Sequence, residues 1–270
     1  MEDRVPFNIR PDAYAGAALD YLRYRVPYPA TVLDNLRRRA RVSGRGRLLD
    51  LGCGPGRVTL PLARYFREVQ AVDLEPEMVE VGRGEAVRLG ITNILWCVGR
   101  AEDCDAPPAS FELVTMGESF HRFDQLVVLK KIQAWLQPGG YVAALGGMNP
   151  RKHGEDEWCR CYREVWDRWA RPGAAAAHPA ASQPSMTSGL VFATAGFEDL
   201  SEEEFTVPHV WTVESLVGIA FSTSVMSRKA LGANAARFEA DVRATLLALN
   251  PRNEFPEALP YWCAVARRST

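Results

Sequence analysis

What this sequence lacks narrows it first. No stretch of its 270 residues approaches the roughly 20 uninterrupted apolar residues of a membrane span, and "MEDRVPFNIR" at the start has no apolar h-region of a signal peptide. A surplus of charge is missing too. Lys and Arg number 32 against 33 Asp and Glu, a formal net charge of -1, so no global field draws nucleic acid or an anionic membrane surface. The six cysteines, at 53, 97, 104, 159, 161 and 263, lack the paired two-residue spacing of a zinc site. They read as free thiols, and no metal is expected. Internal repeats are absent, and only four histidines occur. These absences lead to the expectation of a cytoplasmic protein with a small-molecule partner, no membrane and no nucleic acid, acting as a monomer or homodimer.

Ordinary globular composition is present, 47% hydrophobic and 24% charged, enough for one large domain or two small ones. Strand-like runs at 48–51, 69–74, 94–98, 111–116 and 141–145 alternate with helix-like ones at 58–66, 76–89 and 125–136. Asp124 precedes the last helix as an N-cap, and Pro138-Gly139-Gly140 follows as its stop. Such alternation predicts a mostly parallel sheet with helices on both faces. Ahead of it stand an Arg- and Tyr-rich arm, "YLRYRVPYP" (21–29), and a helix over 30–40. Behind it come a Trp-rich helical stretch and "RPGAAAAHPAASQP" (171–184), which reads as an exposed loop. Strands over 204–207 and 261–266 and helices over 213–222 and 233–249 complete the chain.

The most informative stretch is "LLDLGCGPGRVTLPLA" (48–63). A buried strand enters Gly52-Cys53-Gly54-Pro55-Gly56 and leaves as a helix, so backbone N–H groups face whatever lies over the turn. Glycines there tolerate positive φ and allow close approach to the main chain. A dinucleotide fingerprint wants its last glycine at 57, where Arg stands, and no Gly-Lys-Ser/Thr follows, which excludes a Walker loop. Asp73, 19 residues past Gly54 in "AVDLEPEM", is placed to accept from both hydroxyls of a ribose.

Together, "LLDLGCGPG", "AVDLEPEM" and "FELVTMGESFHRFD...LQPGG" resemble the class I S-adenosylmethionine (SAM)-dependent methyltransferases, in particular the small-molecule branch with an "FHWFD"-like loop after the fourth strand. The resemblance covers roughly residues 20 to 146 and implies a Rossmann-like, seven-stranded, mostly parallel sheet with one reversed strand, an N-terminal helical lid and an inserted helical substrate cap. The divisions it implies are a lid arm (1–40), a SAM-binding core (41–146), a cap (147–203) and a C-terminal completion (204–270). SAM would lie over Gly52, Cys53, Gly54 and Gly56, with Asp73 on the ribose and Leu74 on the adenine face. Ala101 and Glu102 match the adenine-edge positions, although Arg100 departs from the Asp common before them. Gly117 and Glu118 match positions beneath the methionine moiety, and Tyr24 and Arg25 would come to the SAM carboxylate from the lid, in which Tyr14, Tyr21 and Tyr28 also stand.

On the acceptor side the motifs of exocyclic-amine nucleic-acid methylases and of catechol-type metal sites are missing. His121 stands four residues past Gly117, as a candidate general base or as a loop imidazole bonded to backbone. Tyr21, Phe120, Trp158, Tyr162, Trp166 and Phe221 are candidate acceptor contacts; the Trp/Tyr stripe is equally a core stripe. The resemblance implies methyl transfer to O, N or C of a small hydrophobic or aromatic metabolite, of the kind made in secondary metabolism, mainly by proximity. The alternatives are a SAM-assisted cyclase or decarboxylase on the same fold, and an RNA-modifying or RNA-binding protein suggested by "RRRARVSGRGR" (37–47).

Overall fold

The computed structural model describes residues 14–147, 156–170 and 188–269. One seven-stranded sheet organises them, in the order β3-β2-β1-β4-β5-β7-β6. Strands β1 (Arg47–Leu51), β2 (Glu68–Asp73), β3 (Ile94–Val98), β4 (Phe111–Gly117) and β5 (Leu136–Gly147) pair in parallel. Only β7 (Phe255–Arg267) is reversed, antiparallel to both β5 and the edge strand β6 (Glu198–Trp211).

Sequence composition explains which strand goes where. Four of the five β1 residues, Leu48 to Leu51, are buried, as expected for a strand covered on both faces. By contrast β6 alternates exposed and half-buried residues along most of its length, with glutamates outward and Pro208 on its free side, which suits an edge. That polar outer face is why only 204–207 reads as strand from sequence.

Helices α1 (Ala18–Tyr24), α2 (Ala30–Arg39), α3 (Thr59–Ala63), α4 (Pro76–Arg88) and α5 (Gln125–Trp135) belong to the first half. After them come α6 (Glu157–Trp169), α7 (Ser188–Thr194), α8 (Val213–Phe221), α9 (Arg228–Leu231) and α10 (Ala235–Leu249). Two apolar layers result. One joins Leu36, Leu48 and Leu113 to Tyr162, Phe221 and Phe238; the other joins Leu49, Met116, Ile132 and Phe192 on the opposite face.

Asp124 caps α5, its carboxylate accepting from Val127 N at 3.3 Å. α3 is shorter than the expected 58–66: Pro61, without an N–H for the carbonyl of Arg57, delays its start, and Tyr65 and Phe66 bond three residues back to Leu62 and Ala63, which ends it. The Pro138-Gly139-Gly140 segment lies within β5 rather than simply stopping a helix, and a register shift between Phe111 and Leu113 accommodates it. The Trp-rich stretch is helical as α6, whereas 171–184 falls outside the described residues. The helical arm expected at the N-terminus is present as α1 and α2, whereas sequence patterning did not indicate the short helices α7 and α9.

Candidate cofactor site

Carboxyl ends of β1, β2 and β4 converge on the glycine loop, the crevice where open α/β sheets hold ligands. Gly52, Gly54 and Gly56 take φ values of 65°, 53° and 95°, a region closed to most L-residues. Close approach also matters: a Cβ on Gly52 would lie 2.4 Å from Ser119 Cβ, and one on Gly117 would lie 2.6 Å from Val58 Cγ2. The loops after β1 and β4 therefore pack without intervening side chains.

Asp73 ties this loop to the end of β2. Its Oδ2 accepts from Gly54 N at 2.7 Å and its Oδ1 from Glu75 N at 2.9 Å. Burial pushes its carboxyl pKa up, against the lowering effect of these N–H donors and of Arg122. Beneath the loop, Asp50 is buried and accepts from the hydroxyls of Thr59 at 2.5 Å and Thr115 at 2.8 Å. Burial pushes the Asp50 pKa up to about 6, opposed by those two hydroxyls and reinforced by Asp73.

An open cavity of about 750 Å³, solvent mouth included, lies over these groups. Its walls contain Gly52, Gly54, Asp73, Leu74, Ala101, Glu102, Gly117 and Glu118, together with Tyr21. Cys53 lines a smaller adjoining cavity with Arg57 and Tyr21, and burial holds its thiol pKa well up. Gly56 lines neither, because its space is taken by Leu60 and Trp96. Glu118 has φ of 55°, donates its N–H to Leu145 O at 2.8 Å and accepts from Gly147 N at 2.6 Å through Oε1. Glu102 Oε1 accepts from Asp124 N at 3.1 Å, and Arg100 reaches Glu102 and Asp103 at 3.6 and 3.7 Å.

The arm closes over this cavity from the side of α4. Tyr14 N and Gly16 N donate to Glu75 and Glu77 at 3.2 and 2.5 Å, and Arg122 lies 4.6 Å from the centre of the Tyr14 ring. Tyr24 and Arg25 are placed elsewhere. The Tyr24 hydroxyl donates to Glu214 at 3.0 Å with its ring on Gly218, and Arg25 Nε donates to Ser222 Oγ at 2.8 Å.

Other candidates lie away from the cavity. His121 is exposed in a 3-10 turn, Phe120–Arg122, and its neighbour Arg122 lines the cavity instead. Phe120 is buried against Phe192 on the far face of the sheet, with ring centres 5.4 Å apart. Trp158 packs on Phe255, Tyr162 donates to Leu216 O at 2.8 Å, and Phe221 packs on Phe238. With Trp166 they belong to one apolar layer. The sequence reading passed over Asp50, Arg57, Ser119 and Arg122. Arg57 and Asp50 flank the glycines directly in sequence, a signal that position alone supplied, whereas Ser119 and Arg122 are brought in by the turn after β4. Among the described residues no group of three or more His, Cys, Asp or Glu could hold a metal ion, and no helix is long and apolar enough to cross a membrane.

The residues present fit an adenosyl sulfonium. Glycines leave room for close contact, Asp73 offers a charged acceptor, and the open cavity is lined by both. Residues 48–140 match a family described as "Methyltransferase domain". That match spans about a third of the chain, and the sheet order places it on a Rossmann-like fold. It is 36% identical over 124 residues to a ubiquinone biosynthesis O-methyltransferase of Xanthomonas campestris pv. campestris, a match covering 45% of each chain. The chain thus spans less than half the length of that curated relative. In structure it is similar to a putative type II methyltransferase from Anaeromyxobacter dehalogenans, with TM-score 0.61 at 22% identity over 91% of this chain and 98% of that one. Phosphoethanolamine N-methyltransferase 2 of Haemonchus contortus, solved with S-adenosyl-L-methionine, gives TM-score 0.56 at 15% identity over 96% of this chain and 57% of that one.

Proposed function

We propose that this protein transfers the methyl group of SAM to a small hydrophobic or aromatic acceptor, with a hydroxyl as the first acceptor atom to test. The observation that carries the reading is the Asp73 carboxylate bound to the glycine loop at the mouth of the cavity. When bound, SAM supplies an electrophilic methyl group. The chain's own residues then have three tasks: Asp73 holds the ribose, Leu74 and Ala101 flank the adenine, and Gly52 and Gly117 admit the amino-acid end. Methyl transfer from a sulfonium is a displacement in which alignment and exclusion of water supply much of the acceleration. Arm residues Tyr14 and Tyr21 serve that exclusion by roofing the cavity.

The O-methyltransferase similarity over 124 residues supports a hydroxyl acceptor, and the apolar surroundings of the arm support an aromatic one. Incubation with methyl-labelled SAM and a panel of phenols, carboxylic acids and amines should yield a labelled phenolic product with stoichiometric S-adenosylhomocysteine. Label transfer confined to amines or carbon acids would overturn the hydroxyl assignment. Conversion of an acceptor with SAM required but not consumed would favour the cyclase reading.

A further inference from the structure

One charged residue beside the glycine loop is left without a task by the account so far. Arg57 follows Gly56 directly and lines the small adjoining cavity with Asp50, Gly52, Cys53, Gly117 and Tyr21. Its guanidinium is wrapped by the arm: Nη2 donates to Val26 O, the Tyr28 ring centre lies 4.7 Å from its central carbon, and it shares a hydrogen bond with Tyr21. Its Nε is out of solvent and has no hydrogen-bond partner among the described residues. Glu118 favours its charge from a distance and Asp50 lines the same cavity, yet neither accepts from that Nε, and a guanidinium fork suits a carboxylate best.

Other arginines of the region are engaged elsewhere. Arg25 donates to Ser222 and lies 4.8 Å from the Tyr21 ring centre. Arg100 faces Glu102 and Asp103, and Arg122 faces Tyr14, both in the wall of the larger cavity, whereas Arg57 lines the smaller one. A ligand with its ribose at Asp73 and its adenine at Ala101 directs its amino-acid end toward Gly52 and Gly117, where Arg57 stands.

We propose that Arg57 recognises the carboxylate of the cofactor's methionine end and, through Val26, Tyr28 and Tyr21, couples cofactor binding to closure of the arm. The proposal rests on the SAM reading above. It assigns the carboxylate to a residue of the core loop instead of Arg25 of the arm, and it makes arm closure respond to that one group of the ligand.

The test is calorimetric titration with S-adenosylhomocysteine and with 5'-methylthioadenosine, which keeps the adenosyl thioether but has no amino-acid end. Arg57→Gln should weaken S-adenosylhomocysteine binding at least about tenfold and leave methylthioadenosine unchanged, while Arg25→Gln alters neither. Limited trypsin digestion should show S-adenosylhomocysteine protecting the bonds after Arg23 and Arg25 in the wild type but not in Arg57→Gln, and methylthioadenosine protecting neither. Undiminished S-adenosylhomocysteine affinity in Arg57→Gln, or the selective loss appearing in Arg25→Gln, overturns the assignment while the SAM reading stands. Wild-type protein that binds neither ligand sinks the SAM reading and this proposal with it. Should Arg57→Gln not fold, Arg57→Lys keeps charge without the fork; a selective, several-fold loss for S-adenosylhomocysteine supports the proposal, and equal change for both ligands contradicts it.

Discussion

Asp50 shows how a single residue can carry a pH signature that its neighbours in sequence do not reveal. Its folded pKa of about 6 lies above the ordinary 3.8, so the folded state binds more protons between those values than the unfolded one. The Asp50 contribution to stability therefore falls as pH rises from about 4 to 6, by about 3 kcal/mol over the full range, and does not change further above it. Asp50→Asn should remove most of that slope, since Thr59 and Thr115 hydroxyls can turn to donate to or accept from an amide. Urea midpoints at pH 4.5 and 7 check it, and an unaltered slope would assign the effect elsewhere. His121 makes the opposite case. An essential general base contributes about 10²-fold or more, but this imidazole is exposed on a 3-10 turn outside the cavity. His121→Asn should accordingly keep kcat within about threefold, well short of that general-base loss. At this scale the sequence showed the glycines and Asp73 clearly, because backbone freedom and a charged strand end are local properties. It showed the aromatic acceptor candidates poorly: a ring at helical spacing has the same pattern whether it faces a ligand or the core, and Trp158, Tyr162 and Phe221 went to the core.

Among elements, the arm and the C-terminal helices depend on each other. α1 lies against α8, with Tyr24 on Gly218 and surface pairs Arg23–Glu214 at 3.1 Å and Arg228–Asp20 at 3.3 Å. Such exposed pairs contribute about 1 kcal/mol or less each, so the glycine contact decides the docking. A Cβ on Gly218 would lie 2.1 Å from Tyr24 Cγ, at the ring's root. Gly218→Ala should lift α1 from α8 and speed tryptic cleavage after Arg23 and Arg25, with the far-ultraviolet circular dichroism unchanged; cleavage at the wild-type rate would show that the arm docks by other contacts. Element type was legible wherever a strand was buried on both faces or a helix carried a cap. Boundaries failed where tertiary partners decide them, as in β6, whose twelve residues paired to β7 include the acidic run 202–204, with Glu202 and Glu204 exposed and Glu203 held by Asn35 and Arg39, and where a helix ends in three-residue turns, as α3 does at Tyr65 and Phe66.

For the whole molecule, the arginine cluster at 37–47 is partly engaged by neighbours, while Arg38, Arg41 and Arg45 are exposed. Arg39 pairs with Glu203 at 2.9 Å, Arg47 with Glu68 at 2.5 Å, and Arg37 lies over Tyr65. With a formal net charge of -1, RNA binding is an alternative that titration at two salt concentrations tests, absence of binding at low salt removing it. One reversed strand is already implied by the family resemblance, and β7 is that strand, whereas the sheet order became visible only in three dimensions, because strand order is set by crossover connections that no local pattern encodes. The central claim is that the Asp73 glycine-loop crevice binds SAM, and calorimetric titration of S-adenosylhomocysteine into the wild type and Asp73→Ala tests it most directly. Saturable binding of one ligand per chain, weakened more than about tenfold by Asp73→Ala through the loss of two hydrogen bonds to a charged acceptor, is the predicted result; equal affinity in the two proteins, or no binding to the wild type, would contradict it.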